Sequence, residues 1–184
     1  VFMGMGEPLL NYKNVLRSIH FITSEEGLNM SYKRITLSTS GISKMIRKLA
    51  DDNVKVNLAL SLHAANEELR KKIMPIGKSN TLEEIRDSLK YYFSKTKKKV
   101  TYEYVLLRDV NDSIEDAYQL YKYTKHLSSK VNIIEYNAVE GLEFKKSSFE
   151  KTEKLIGYLL KKGVNVSLRR SRGNDHFVQK EQFR

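Results

Sequence analysis

Three short runs carry side chains of the kind that hold ligands. Gly4, Met5, Gly6, Glu7 and Pro8 set two glycines beside a carboxylate. Glycine lets backbone approach a bound molecule closely, and Glu7 offers an acceptor to an ammonium group. The same residues also suit a tight turn with Glu7 facing solvent. Ser38, Thr39, Ser40 and Gly41 place hydroxyls and unpaired amides where a helix begins, a setting for carboxylate or sugar groups and equally for a helix cap. Ser61, Leu62 and His63 close a strand-like run, with His63 open to a structural or a site role. His20, His126 and His176 fall in unrelated places, so no metal-ligand spacing emerges. The sequence has no GxxxxGKS/T, GxGxxG or GxSxG pattern, which leaves nucleotide hydrolysis, hydride transfer and serine-esterase chemistry unsupported. With no cysteine, the chain offers no disulfide, thiolate metal site or cysteine nucleophile.

These runs need elements to position them, and strand-like and helix-like segments alternate from end to end, the pattern of parallel βα units. Six strands are predicted at about 1–5, 33–38, 54–62, 100–107, 131–136 and 164–170. Val15, Leu16, Ile19 and Ile22 form one helical stripe, with Asn11 as its expected cap and Gly27 near its stop. Ile42, Met45, Ile46 and Leu49 form the next. Thr81 with Glu84, and Ser147 with Glu150, have capping-box spacing, and Asp112 is the expected cap of a further helix. In the third predicted strand Val56, Leu58, Leu60 and Leu62 alternate with Asn57, Ala59 and Ser61. A strand covered by helices on both faces is usually apolar on both, so a small, polar face suits an open barrel with a site inside it. Arg34, Thr36 and Ser38 repeat the split, as does Glu103, readable as interior or as a surface charge on an edge strand. Barrel ligands sit at the carboxyl ends of the strands, where Gly4–Pro8, Ser38–Gly41, Ser61–His63 and Asn137 gather.

The 184 residues, 40% of them hydrophobic, fit one domain with a sizeable core. The net charge of +11 points to a polyanionic partner, nucleic acid ahead of a membrane surface. The cations lie in short clusters: Arg70 to Lys72, Lys97 to Lys99, Lys145 with Lys146, and Arg169, Arg170 and Arg172. Each reads as a polyanion contact or a solvated face. No run approaches the ~20 apolar residues of a membrane span, no signal peptide is seen, and a cytoplasmic location is expected.

Taken together, VFMGMGEPLLN from Val1, ITLSTSG from Ile35, LSLHA from Leu60 and YEYVLLRDVND from Tyr102 resemble, in order and interval, the RlmN/Cfr family of radical SAM RNA methyltransferases. The resemblance runs from Val1 to about Asp175. It implies an α/β fold, an incomplete (β/α) barrel lacking its first strand, that holds S-adenosylmethionine against a 4Fe-4S cluster. It also implies methylation of adenosine in 23S rRNA, and in tRNA, at C2, with an electron donor as partner. In that chemistry one S-adenosylmethionine methylates a protein cysteine, and a second is reductively cleaved to the radical that activates this methyl. By motif position the resemblance gives Gly6 and Glu7 to the amino end of the cofactor and Ser38 to its methionine or ribose. It gives Ser61, Leu62 and His63 to the nucleoside surroundings and Asn137 to the ribose.

Two departures follow. The family's CxxxCxxC cluster motif would lie upstream of Val1, so the chain reads as N-terminally truncated. Where the family continues IDAACGQL, this chain has His176, Phe177, Val178, Gln179 and Lys180. Lys180 stands at the position of the methyl-carrying cysteine, and an amine cannot form the required thioether. The expected division is a partial barrel over 1–175 and a divergent tail over 176–184, with no catalytic residue or metal ligand in this chain and no methyl transfer by it alone. The alternative is a noncatalytic RNA-binding relative that has lost the radical machinery. A generic barrel enzyme for a small anionic substrate is a third reading.

Overall fold

The computed structural model describes residues 1–74 and 79–170; the expected tail, Lys180 and Arg172 lie outside them. Five parallel strands, β1 (Thr36–Thr39), β2 (Asn57–Ser61), β3 (Val100–Leu106), β4 (Ser129–Glu135) and β5 (Val166–Arg169), pair in the order β1-β2-β3-β4-β5. The helices are α1 (Tyr12–Thr23), α2 (Ser43–Asp51), α3 (Glu67–Ile73), α4 (Leu82–Thr96), α5 (Ile114–Thr124) and α6 (Phe149–Lys161). Because each strand lies beside its predecessor and parallel crossovers are right-handed, the helices collect on one face. A doubly wound sheet would reverse its strand order at a switch point; this one does not. It is the open arc of a βα barrel, as the sequence predicts.

The alternation in the strands then separates two faces. Leu37, Leu58, Leu60, Tyr102, Tyr104, Val131 and Ile133 point to the helices and pack in one core with Ile46, Leu49, Ile85, Leu89, Leu120, Leu155 and Leu159. The opposite face carries Thr36 and Ser38, Asn57, Ala59 and Ser61, Thr101 and Glu103, Lys130 and Asn132, then Ser167 and Arg169, aligned by register. Val105 and Ile134 share this face by register, so the inner wall is polar except at Ala59 and that apolar pair.

Several predicted boundaries move for local reasons. The expected strand at 1–5 is reduced to one parallel bridge, Phe2 to Leu37, in which Phe2 N donates to Thr36 O (2.8 Å) and Ser38 N to Phe2 O (2.9 Å). Gly4 (φ 118°) and Gly6 (φ 78°) turn the chain away immediately after. β1 starts late because Tyr32–Arg34 form a 3-10 turn capped by Ser31. β2 starts at Asn57 because Asn53 (φ 52°) and the bond from Val54 N to Leu49 O are still unwinding α2.

The capping box of Thr81 and Glu84 forms as predicted. Ser147 does not cap α6; Ser148 does, because the Ser147 hydroxyl donates to Asp112 Oδ2 at 2.6 Å. Asp112 likewise is not the cap of α5. Ser113 caps it, with Asp116 completing the box, while Asp112 also accepts from Asp109 N and Lys151. Asn11 precedes α1 without a capping bond, its Oδ1 taken by Asn14 Nδ2, and α1 stops at Thr23, short of Gly27.

Candidate functional site

Parallel pairing brings every strand's carboxyl end to one rim, and the segments singled out in the sequence fall on it. After the Phe2 bridge the chain turns through Gly4 and Gly6. Both have positive φ, and apart from the chain neighbours no heavy atom of the described residues lies within 4 Å of where a Cβ would stand on either. The turn needs glycine, and the space beside it is open.

Glu7 follows, and its carboxylate is engaged by the chain itself. Oε1 accepts from Leu9 N (3.0 Å), capping the 3-10 turn Pro8–Asn11, while Oε2 accepts from Ser40 N and Ser40 Oγ, both at 2.6 Å. From the other side Arg70 Nη2 donates to Ser40 O at 2.6 Å. The Ser38–Gly41 loop is therefore held between a carboxylate and a guanidinium. Gly41 closes it with φ 101°, a Cβ there meeting Ile85 Cδ1 at 2.8 Å.

Arg70 belongs to a basic cluster read from the sequence as a solvated face or polyanion contact. The structure corrects this: Arg70 is 1% exposed, and among the described residues its Nε and Nη1 have no partner. Burial lowers its pKa, countered by Tyr123 and Glu67.

Ser61 ends β2 on the inner wall, half-buried, while the Leu62 side chain turns into the core. His63 then adopts φ 55° and is enclosed. Its Nδ1 accepts from Val105 N (3.1 Å), and its carbonyl accepts from Asn111 Nδ2 (2.7 Å). Asn111 also donates to Val105 O and accepts from Leu107 N. Imidazole and amide thus finish the β2–β3 seam where the ladder stops. Burial first, and then the Arg70 charge, pull the His63 pKa down from 6.5 to about 4, so the ring is neutral with Nδ1 free to accept.

Glu103 lies on β3, the central strand, and is 5% exposed; the edge-strand alternative fails. Register aligns Ser61, Glu103, Asn132 and Ser167 in one row across four strands. Ser167 Oγ donates to Asn132 Oδ1 (2.6 Å) and Asn132 Nδ2 to Glu103 Oε1 (2.9 Å). Oε2 is buried and has no partner among the described residues. Burial raises the Glu103 pKa, opposed by the Asn132 bond and by Arg169 and Lys130. Asn137 follows the end of β4 by two residues and is half-buried. No group of three metal-ligating side chains occurs among the described residues.

Asn132 and Ser167 were not singled out in the sequence, and Arg70 was marked there only as part of a basic run. The period of two would have placed Asn132 and Ser167 beside Glu103; nothing local sets Arg70 apart from its run.

The description "Radical SAM superfamily" matches residues 1–121. A Flavobacterium psychrophilum protein named "Probable dual-specificity RNA methyltransferase RlmN" is 54% identical over 175 residues, 95% of this chain and 50% of that protein. A Christiangramia forsetii protein of the same name is 50% identical over the same shares. The chain spans about half the length of the curated relatives it matches. The crystal structure of a radical SAM methyltransferase from Sphaerobacter thermophilus, 37% identical, superposes with a TM-score of 0.89 over 93% of this chain and 50% of that one. A domain of pyruvate-formate lyase-activating enzyme from Bacteroides vulgatus, 15% identical with a TM-score of 0.65 over 91% of this chain and 96% of that one, shares the fold. Matched over residues 1–121 by the superfamily description and built as the same open parallel barrel, the chain belongs to the radical SAM superfamily.

Proposed function

We propose that this chain is the cofactor-holding part of a radical SAM methyltransferase acting on adenine C2 of rRNA and tRNA. What carries the reading is the inner wall, a polar face ending at an open glycine turn, in a chain 54% identical to a protein named as a dual-specificity RNA methyltransferase. The barrel portion runs over 1–175, with the remaining residues as a tail. Such an enzyme also takes an electron donor.

The residues present do not fit the 4Fe-4S cluster, because a cysteine-free sequence supplies no thiolate. They do fit S-adenosylmethionine. The turn at Gly4 and Gly6 offers backbone carbonyls to the amino group and N–H groups to the carboxylate, and Ser38, Ser61 and Asn137 offer hydrogen bonds at the same rim. S-adenosylmethionine supplies both the methyl group and the radical precursor. Glu7 shapes the site by fixing Ser40, and His63 by fixing the β2–β3 seam.

A second reading, an RNA-binding relative without radical chemistry, is favoured by the +11 charge. Equilibrium dialysis with radiolabelled S-adenosylmethionine separates the two. The expected result is weak but saturable binding, lost in Gly6→Val, with no label transferred to ribosomal RNA by this chain. Salt-sensitive RNA binding without any S-adenosylmethionine binding selects the second reading.

A further inference from the structure

The rim opposite the candidate site, where strands β3, β4 and β5 begin, gathers cations from three loops. Lys97, Lys98 and Lys99 lead into β3, Lys125 and Lys130 flank the start of β4, and Lys162 precedes β5. The segments 94–102, 121–132 and 158–170 contain no Asp or Glu. Among the described residues these six lysines form no ion pair. Between them lies an open hollow of about 440 Å³ whose lining includes Lys99, Lys125, Lys162, Tyr121, Ser128 and Asn165.

Helix ends account for part of this charge. Lys95, Lys122 and Lys161 stand in the last turns of α4, α5 and α6, where a cation complements the helix dipole. That effect fades within a turn and does not call for further lysines in the loops beyond. Nor does it explain why Lys125 Nζ and Lys162 Nζ both lie 5.8 Å from the Tyr121 ring centroid, which holds two like charges over one ring. Lys125, Lys90 and Arg86 add to burial in lowering the pKa of His126, as expected of a positive surface. Like charges gathered this way from acid-free segments are relieved when an anion enters.

We propose that the amino-terminal rim of β3–β5 is an RNA-docking surface, with the hollow lined by Lys99, Lys125 and Lys162 receiving backbone phosphates. RNA suits it better than a bilayer because the lysines surround a concavity that a flat headgroup layer cannot enter. The surface lies across the barrel from the glycine turn, so it grips RNA away from the nucleotide that chemistry addresses. The inference rests on the RNA reading above.

The test measures fluorescence anisotropy of a fluorescein-labelled ribosomal RNA hairpin with this chain over a series of KCl concentrations. The triple variant K99Q/K125Q/K162Q is compared with K13Q/R17Q/K44Q, which removes the same charge from exposed positions on α1 and α2. Each phosphate contact contributes roughly 0.7–0.9 to the slope of log affinity against log salt. The rim triple is therefore expected to lower that slope by about 2 relative to the control triple. Equal loss in both triples overturns the surface and leaves the RNA reading standing. A wild-type chain that binds phosphatidylserine vesicles and no RNA overturns both.

Discussion

Acidification from pH 7 to pH 4 is expected to remove about 3 kcal/mol of the chain's stability through His63 alone. The unfolded chain protonates this imidazole near 6.5, whereas the folded chain resists until about 4. Between those values the unfolded state binds the extra proton. The stability held by the neutral ring is thus complete above 6.5 and lost as pH falls through the window. The cause is geometric as well as electrostatic, because a proton on Nδ1 would leave Val105 N facing a donor instead of its acceptor at 3.1 Å. His63→Asn keeps a residue tolerant of φ 55° and removes the titration. Urea unfolding across the window should show a flatter pH dependence in the variant and a loss of roughly 1–3 kcal/mol at pH 7 from the orphaned amide. An unchanged pH slope would show that the ring is not held neutral.

Glu103→Gln is expected to act in the opposite direction and to stabilise the chain at neutral pH by roughly 1–2 kcal/mol. Gln Oε1 retains the bond from Asn132 and the charge that burial penalises is removed, while the amide Nε2 that replaces Oε2 needs acceptors of its own and offsets part of the gain. With the folded pKa raised above its ordinary 4.5, the unfolded chain ionises first as pH rises. The wild type loses stability from about 4.5 upward until the folded carboxyl ionises too. The gain in the variant should therefore be small at pH 4 and full at neutral pH, read from urea midpoints. A carboxylate kept at such a cost on the inner wall is characteristic of a position held for function. Destabilisation by Gln at neutral pH would show instead that the charge is satisfied in the folded chain.

Much of this was legible from periodicity. The alternation of Val56, Leu58, Leu60 and Leu62 with Asn57, Ala59 and Ser61 announces a wall with one core face and one polar face, and the sheet carries both. The rim of glycine, serine and histidine segments was legible too, because parallel strands must bring their carboxyl ends together. What escaped depends on partners distant in sequence. His63 meets Val105, 42 residues away, and Arg70 meets Ser40, 30 residues away. Local pattern cannot show that a histidine completes a ladder or that one arginine of a basic run turns inward. The caps at Ser113 and Ser148 were each misplaced by one residue, since Asp112 and Ser147 bond to each other across 35 residues. Glu103 was ambiguous until strand order made β3 central.

S-adenosylmethionine is proposed to enter at the carboxyl rim and to lie against the inner wall. Backbone amide NMR of the labelled chain, titrated with S-adenosylmethionine, tests it most directly. The predicted result is saturable shifts concentrated at Gly4 to Glu7, Ser38 to Gly41, Ser61 to His63 and Asn137, with the lysine rim at Lys97 to Lys99 unmoved. Shifts confined to the lysine rim, or none at saturating ligand, would contradict it.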